Sequence, residues 1–181
     1  MSPHVTITTL PQPSVIHAAL PGAHFWDAYA TPDPAPEASA LQAWLDLAVR
    51  TPGWTRRLMA LRNRLVRLVG LQDLGQLDGG LGAGRPQAAR YRVGDRVGIF
   101  TIRHLDAREV VMGQDDKHLD VQVSLCKREQ DGRSVVVLGT VVHVHNTLGH
   151  AYMAVVKPFH RRIVRAMLAR MPLPAADHGP R

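Results

Sequence analysis

The chain is short of cysteine, of lysine and of long apolar runs, and each shortage excludes something. Cys126 is the only cysteine in 181 residues, so no internal disulfide can form and no thiolate-based zinc site exists. A reducing compartment fits that usage. No stretch of about 18 uninterrupted apolar residues occurs, which argues against a membrane-spanning helix. The N-terminal "MSPHVTITTLPQPSVIHAALPG" lacks a charged region followed by a long apolar one, so no secretory signal is read. Lysine is scarce, with three against nineteen arginines. That skew, beside abundant Ala, Gly and Leu, is what a GC-rich genome produces. The net charge of +7 raises an anionic partner, but no nucleic-acid-binding motif accompanies it. A cytoplasmic protein without membrane insertion, and without nucleic acid as partner, is the expectation.

What is present describes a globular chain: 45% hydrophobic and 20% charged residues, long enough for one domain with its own core. The expected division is an N-terminal strand or arm (1–14), a single domain (15–171) and a disordered tail (172–181). "HVTITTL" alternates like a first strand bounded by Pro11 and Pro13. "TPDPAPEASA" is a Pro-rich connector. Helical spacing starts near Glu37, with Leu41, Trp44, Leu45 and Ala48 on one side. "TPGWTRRLMALRNRLVRLVGL" is the clearest helix, with Thr51 as cap, Pro52 in its first turn and Gly70 at its end. Trp54, Leu58, Leu61, Leu65 and Leu68 form its apolar stripe, and Arg56, Arg57, Arg62, Arg64 and Arg67 lie elsewhere on it. That basic surface suits solvent or an anionic partner. "QDLGQLDGGLGAGRP" is Gly-rich but has neither a Lys-Ser/Thr ending nor a preceding strand, so it reads as a flexible connection and not a phosphate loop.

From Tyr91 the period changes to two. "RVGIFTIRHL", "REVVMG", "KHLDVQVSLCK", "RSVVVLGTVVHVHN" and "HAYMAVVK" read as five consecutive strands of a β-meander. "PFHRRIVRAMLARM" then returns to helical spacing from Pro158, with Phe159, Ile163 and Met167 as its apolar side. The order is strand, two helices, antiparallel meander and C-terminal helix. This is an α+β plan of the helix-grip type, in which a curved sheet wraps a helix and often encloses an apolar cavity.

Asp131-Gly132 is a strong two-residue hairpin signal. Taken at face value, it sets Leu119, Val121, Val123 and Leu125 opposite Val144, Val142, Thr140 and Leu138, an almost wholly apolar face. A one-residue slip would set that row against His143 and His145. The same register opposes His118 to His145 and Asp120 to His143. Three imidazoles and a carboxylate on one face are ligand types that suit zinc or non-haem iron, and an Asp beside a His can also orient it as a base. They are equally the ordinary polar side of an amphipathic strand. Val135, Val137 and Val141 share that face, so a covering segment or a dimer contact is expected over it. His150 and Tyr152 are left outside the cluster, because Gly149 suggests a bulged turn. Ser124 and Ser134 lie in no nucleophile motif, and His160 reads as a packing residue in a first helical turn.

"PGWTRRLMALRNRLVRLVGL", "YRVGDRVGIFTI", "DDKHLDVQVSL", "TVVHVHNTLGHAYM" and "KPFHRRIVRAML" resemble, in order, a bacterial family known only as a domain of unknown function. Its members occur alone or C-terminal to short-chain-dehydrogenase-like NAD-binding domains. The resemblance spans residues 15–171, and the family looks like a branch of the START and polyketide-cyclase (SRPBCC) superfamily. It implies a helix-grip fold that binds lipids, sterols, polyketides or other apolar ligands, and it supplies no catalytic residues and no cofactor. Two departures are visible: a C-terminal helix of about fourteen residues, shorter than the usual gripping helix, and no preceding dinucleotide-binding domain. The expected function is binding of a small apolar or amphipathic ligand, without catalysis, in a cavity lined by Trp54, Leu58, Leu119, Val121, Val123, Val142, Val144, Phe159 and Ile163. These residues would equally fill an ordinary core. The alternatives are an enzyme using His118, Asp120, His143 and His145, and a basic module for an anionic partner.

Overall fold

A computed structural model describes residues 5–50, 53–54 and 86–172. The helix expected over 51–70, the Gly-rich connection and most of the tail lie outside the described residues. Within them the protein is α+β, with a seven-stranded antiparallel sheet and a C-terminal helix. The strands are β1 (Thr6–Ile7), β2 (Phe25–Pro32), β3 (Arg96–Val97), β4 (Phe100–Leu105), β5 (Glu109–Asp115), β6 (Leu119–Gln130) and β7 (Arg133–Val144). They are arranged in the order β1-β2-β7-β6-β5-β4-β3. Helix α1 (Ala40–Val49) follows β2, and α2 (Thr147–Leu168) follows β7. A short 3-10 turn spans Val15–Ala19 between β1 and β2.

The long β6–β7 hairpin has the register expected from its turn: Leu119 pairs with Val144, Val121 with Val142, Val123 with Thr140 and Leu125 with Leu138. Asp131 and Gly132 both take positive φ, 52° and 71°, which a primed two-residue turn requires and which glycine adopts without steric cost. The apolar row this creates is covered by both helices. Leu41, Trp44, Leu45 and Leu47 of α1, and Val164, Met167 and Leu168 of α2, pack with Val123, Leu125, Val136 and Leu138 into the main core. The opposite face is not bare. Leu10 and Ile16, from the segment between β1 and β2, pack onto Ala28, Val111, Val137 and Val141. Gly139 leaves room there for the end of the Leu10 side chain, which a Cβ would displace.

Two expectations are corrected. Strand β2 was not foreseen; it pairs along its whole length with β7, so the meander closes onto the N-terminal part of the chain. "HAYMAVVK" is the beginning of α2 and not a fifth meander strand. Asn146 has extended backbone and its side chain accepts a hydrogen bond from the Gly149 N–H, a helix N-cap where a strand turn was expected. Gly149 lets that first turn sit directly against the His118 carbonyl, which a Cβ would strike. The C-terminal helix is therefore 22 residues long, with Pro158 inside it. The expected shortness of this helix disappears.

Buried charges fix two joints. Lys127 Nζ donates to the carbonyls of Ala35 (2.7 Å), Pro36 (3.1 Å) and Ala38, and pairs with Asp33 Oδ2 at 3.1 Å. Asp33 in turn accepts from the Ser134 hydroxyl and the Ala35 N–H. The Pro-rich connector is thereby clamped to β6 and β7 before α1 begins at its Ser39 cap. On the other face, the Glu109 carboxylate accepts from Ser14 Oγ, Val15 N–H and Ser124 Oγ, which ties the 3-10 turn to the sheet. Each carboxylate oxygen of these two sites has at least one partner and the Lys127 ammonium has four, the condition under which a buried charge is tolerable.

Lys127→Met leaves Asp33 buried and uncompensated and frees three carbonyls, so it is expected to lower unfolding free energy by about 3–5 kcal/mol in urea titrations. A loss below about 1 kcal/mol would contradict the clamp. Burial, reinforced by the Glu109 charge, pushes the Cys126 thiol up to about 11. Its reaction with a disulfide reagent at pH 8 is therefore expected to be at least on the order of a hundredfold slower in the native protein than in denaturant.

Candidate functional site under the C-terminal helix

The four residues of the histidine–aspartate face do share it, but they do not converge. Asp120 pairs with His143 in register, yet its Oδ2 lies 3.0 Å from His145 Nε2. His143 Nε2 instead donates to the Ala19 carbonyl at 2.7 Å. His118 Nδ1 lies 3.0 Å from Asn146 Nδ2, and its backbone carbonyl accepts from the His145 N–H. Each imidazole thus fastens a different joint. Among the described residues no group of three or more His, Cys, Asp or Glu is placed to hold a metal ion.

Of the expected cavity residues, Val123, Val142 and Val144 are buried, and Leu119, Val121 and Ile163 are partly buried against the same clusters. Trp54 and Phe159 are 47% and 42% exposed, and Leu58 lies outside the described residues. The inward stripe of α2 runs through Gly149, Met153, Val164, Met167 and Leu168. Phe159 falls off it: between Met153 and Val164 the stripe passes through His160, one position further on.

Sequence reasoning missed the polar group that this stripe covers. Register places Asp27 beside Thr140, Tyr29 beside Leu138 and Phe25 beside Val142, so all three join the helix-covered row. His160, in the middle of α2 and not in a first turn, brings Nε2 to 3.2 Å from Asp27 Oδ1. The His160 ring also meets the Phe25 ring edge-to-face at 5.8 Å. Three buried side-chain atoms lack a hydrogen-bond partner among the described residues, and two of them, Asp27 Oδ2 and Thr31 Oγ1, belong to this one strand row. The alternation of β2 sets Thr31 roughly 13 Å further along. Leaving a buried acceptor unpaired costs about 1–3 kcal/mol, so the core does not gain from Asp27 as it stands. Tyr29 is buried, and burial first, then the Asp27 charge and a side-chain hydrogen bond to that carboxylate, raise its phenol pKa; Arg161 and Arg165 pull the other way. The phenol stays protonated through the neutral range and can donate.

The only sequence signal for this group is an acid at an apolar position of "FWDAYATP". It is weak, because both rows of β2 are largely apolar and no alternation marks it as a strand.

Fold and site together define an α+β protein in which one long helix closes over an antiparallel sheet and covers a carboxylate with a free oxygen. The chain belongs to the family described as protein of unknown function (DUF2867), which matches residues 19–167, from before β2 to the last turns of α2. A search of curated proteins finds no match to this sequence.

If Asp27 and His160 serve a ligand and not the fold, the double variant Asp27→Leu/His160→Leu is expected to unfold at the same or a higher temperature than the wild type, since apolar replacement of buried polar pairs is neutral to stabilising by about 1–4 kcal/mol. Calorimetry showing a loss of more than about 2 kcal/mol would assign the pair to stability.

Proposed function

We propose that the protein binds a small amphipathic ligand between α2 and the sheet, in the helix-grip manner implied by the START and polyketide-cyclase resemblance, without itself carrying out a reaction. The observation that carries this reading is the unpartnered oxygen of Asp27, a residue 91% buried, within a mostly apolar face. A ligand whose apolar body lies along Val123, Val142 and Ile163 would supply the missing hydrogen bond. The 22-residue α2 is long enough to act as the gripping helix. Ligand pockets of this kind pair a mostly apolar lining with a few placed polar groups. No helix of the described residues is long and apolar enough to cross a membrane, and the single buried thiol fits a reducing, cytoplasmic setting. Ser14 and Ser124 are engaged by Glu109 and Ser134 by Asp33, while His160 meets Asp27, which favours binding over nucleophilic catalysis.

Native mass spectrometry of freshly purified protein, followed by a thermal-shift series with C8 to C14 alkanols and alkanoic acids, tests the proposal. The expected result is a non-covalent adduct, or a rise in Tm of several degrees with at least one series member, the alkanol response being reduced in Asp27→Leu/His160→Leu. No adduct and no shift with any member would overturn it.

A further inference from the structure

Helix α2 carries Lys157, Arg161, Arg162 and Arg165 and not one acidic residue. Lys157, Arg161 and Arg165 are spaced by four, so they line one flank of the helix. Like charges at that spacing repel and weaken an isolated helix by a few tenths of a kcal/mol per pair. Among the described residues none of the three forms an ion pair. That flank is also the one beside the unpaired carboxylate. Lys157 Nζ lies 5.2 Å and Arg161 Cζ 5.8 Å from the centre of the Phe25 ring, two residues before Asp27, and Arg161 and Arg165 are near enough to Tyr29 to act on its phenol. Phe25 thus gathers His160 on one edge and two cations over its ring, which holds the basic side chains at the border of the covered face.

The two features ask for different groups on one molecule. Asp27 Oδ2 is an acceptor and needs a donor. The basic flank of α2 over Phe25 disfavours an amine as that donor, because a further ammonium would meet like charge there, while a neutral hydroxyl meets none. Arg161 and Arg165 are exposed and form no ion pair among the described residues, so they are free to take an anion at the rim. Resting on the ligand-binding reading above, we propose that the ligand is a hydroxylated organic acid: an apolar chain whose hydroxyl donates to Asp27 Oδ2 and whose carboxylate is held at the rim by Arg161 and Arg165, with Lys157 beside them.

The test uses racemic 3-hydroxydecanoate, decanoate, 1-decanol and decylamine at sub-micellar concentration, titrated calorimetrically into the full chain. The wild type is expected to bind 3-hydroxydecanoate about tenfold tighter than decanoate, the value of one hydrogen bond to a charged group, and both acids tighter than the alcohol or the amine. Asp27→Leu is expected to erase the preference for the hydroxy acid while decanoate still binds. Arg161→Gln/Arg165→Gln is expected to reduce both acids at least tenfold and leave 1-decanol unchanged. Equal affinity for 3-hydroxydecanoate and decanoate, or equal affinity for the acids and decylamine, would overturn this inference while the ligand-binding reading survives. If none of the four probes binds to any form of the protein, both fall together.

Discussion

The pairing of β6 with β7 is the constraint on which the other parts of the molecule depend. A strand has two faces and a period of two, so the turn at Asp131-Gly132 decides with one stroke which side chains meet α1 and α2 and which meet the N-terminal segment. Because β2 is laid against β7, the same decision reaches a part of the chain more than a hundred residues earlier: Thr140 faces the helices, and therefore so does Asp27. A slip of one residue would turn Asp27 toward the 3-10 turn and bring Trp26 beneath α2.

Three buried acids illustrate how differently the same side chain can be used. Asp33 and Glu109 are surrounded by donors and hold segments in place: the first fixes the approach to α1 through Lys127, the second fastens the 3-10 turn. Asp27 has one imidazole on one oxygen and nothing on the other. Carboxylates that serve architecture are saturated with partners, because an unpaired oxygen inside costs more than it returns. Asp27 is the exception, and the position of that exception, beneath the long C-terminal helix, is what directs attention to function.

How much of this was legible in the sequence depends on how local each signal is. The β6–β7 register was legible because a hairpin turn and two alternating rows say the same thing independently. The buried side of α1 was legible from the spacing of Leu41, Trp44, Leu45 and Ala48, all of which are buried. The start of α2 was not. Val144, Val155 and Val156 are β-branched, which favours strand, and the capping role of Asn146 looks the same as a turn until the His118 carbonyl is known to sit against Gly149. Strand β2 was invisible for a related reason: it is covered on both sides, so "FWDAYATP" shows no alternation. The site went unread with it. Asp27 and His160 are 133 positions apart, and no spacing rule joins them.

Closing β2 onto β7 ties Phe25–Pro32 to Val135–Val142, the longest loop that any strand pairing in this sheet must close. Entropy opposes such a closure more than it opposes the compact hairpins of the meander. The strand that completes the sheet is also the strand that brings Asp27, Tyr29 and Thr31. A molecule gripping Asp27 from one side and α2 from the other would therefore act as a cross-brace between the two ends of the chain, and occupancy of the site and integrity of the β2–β7 seam become a single thermodynamic quantity.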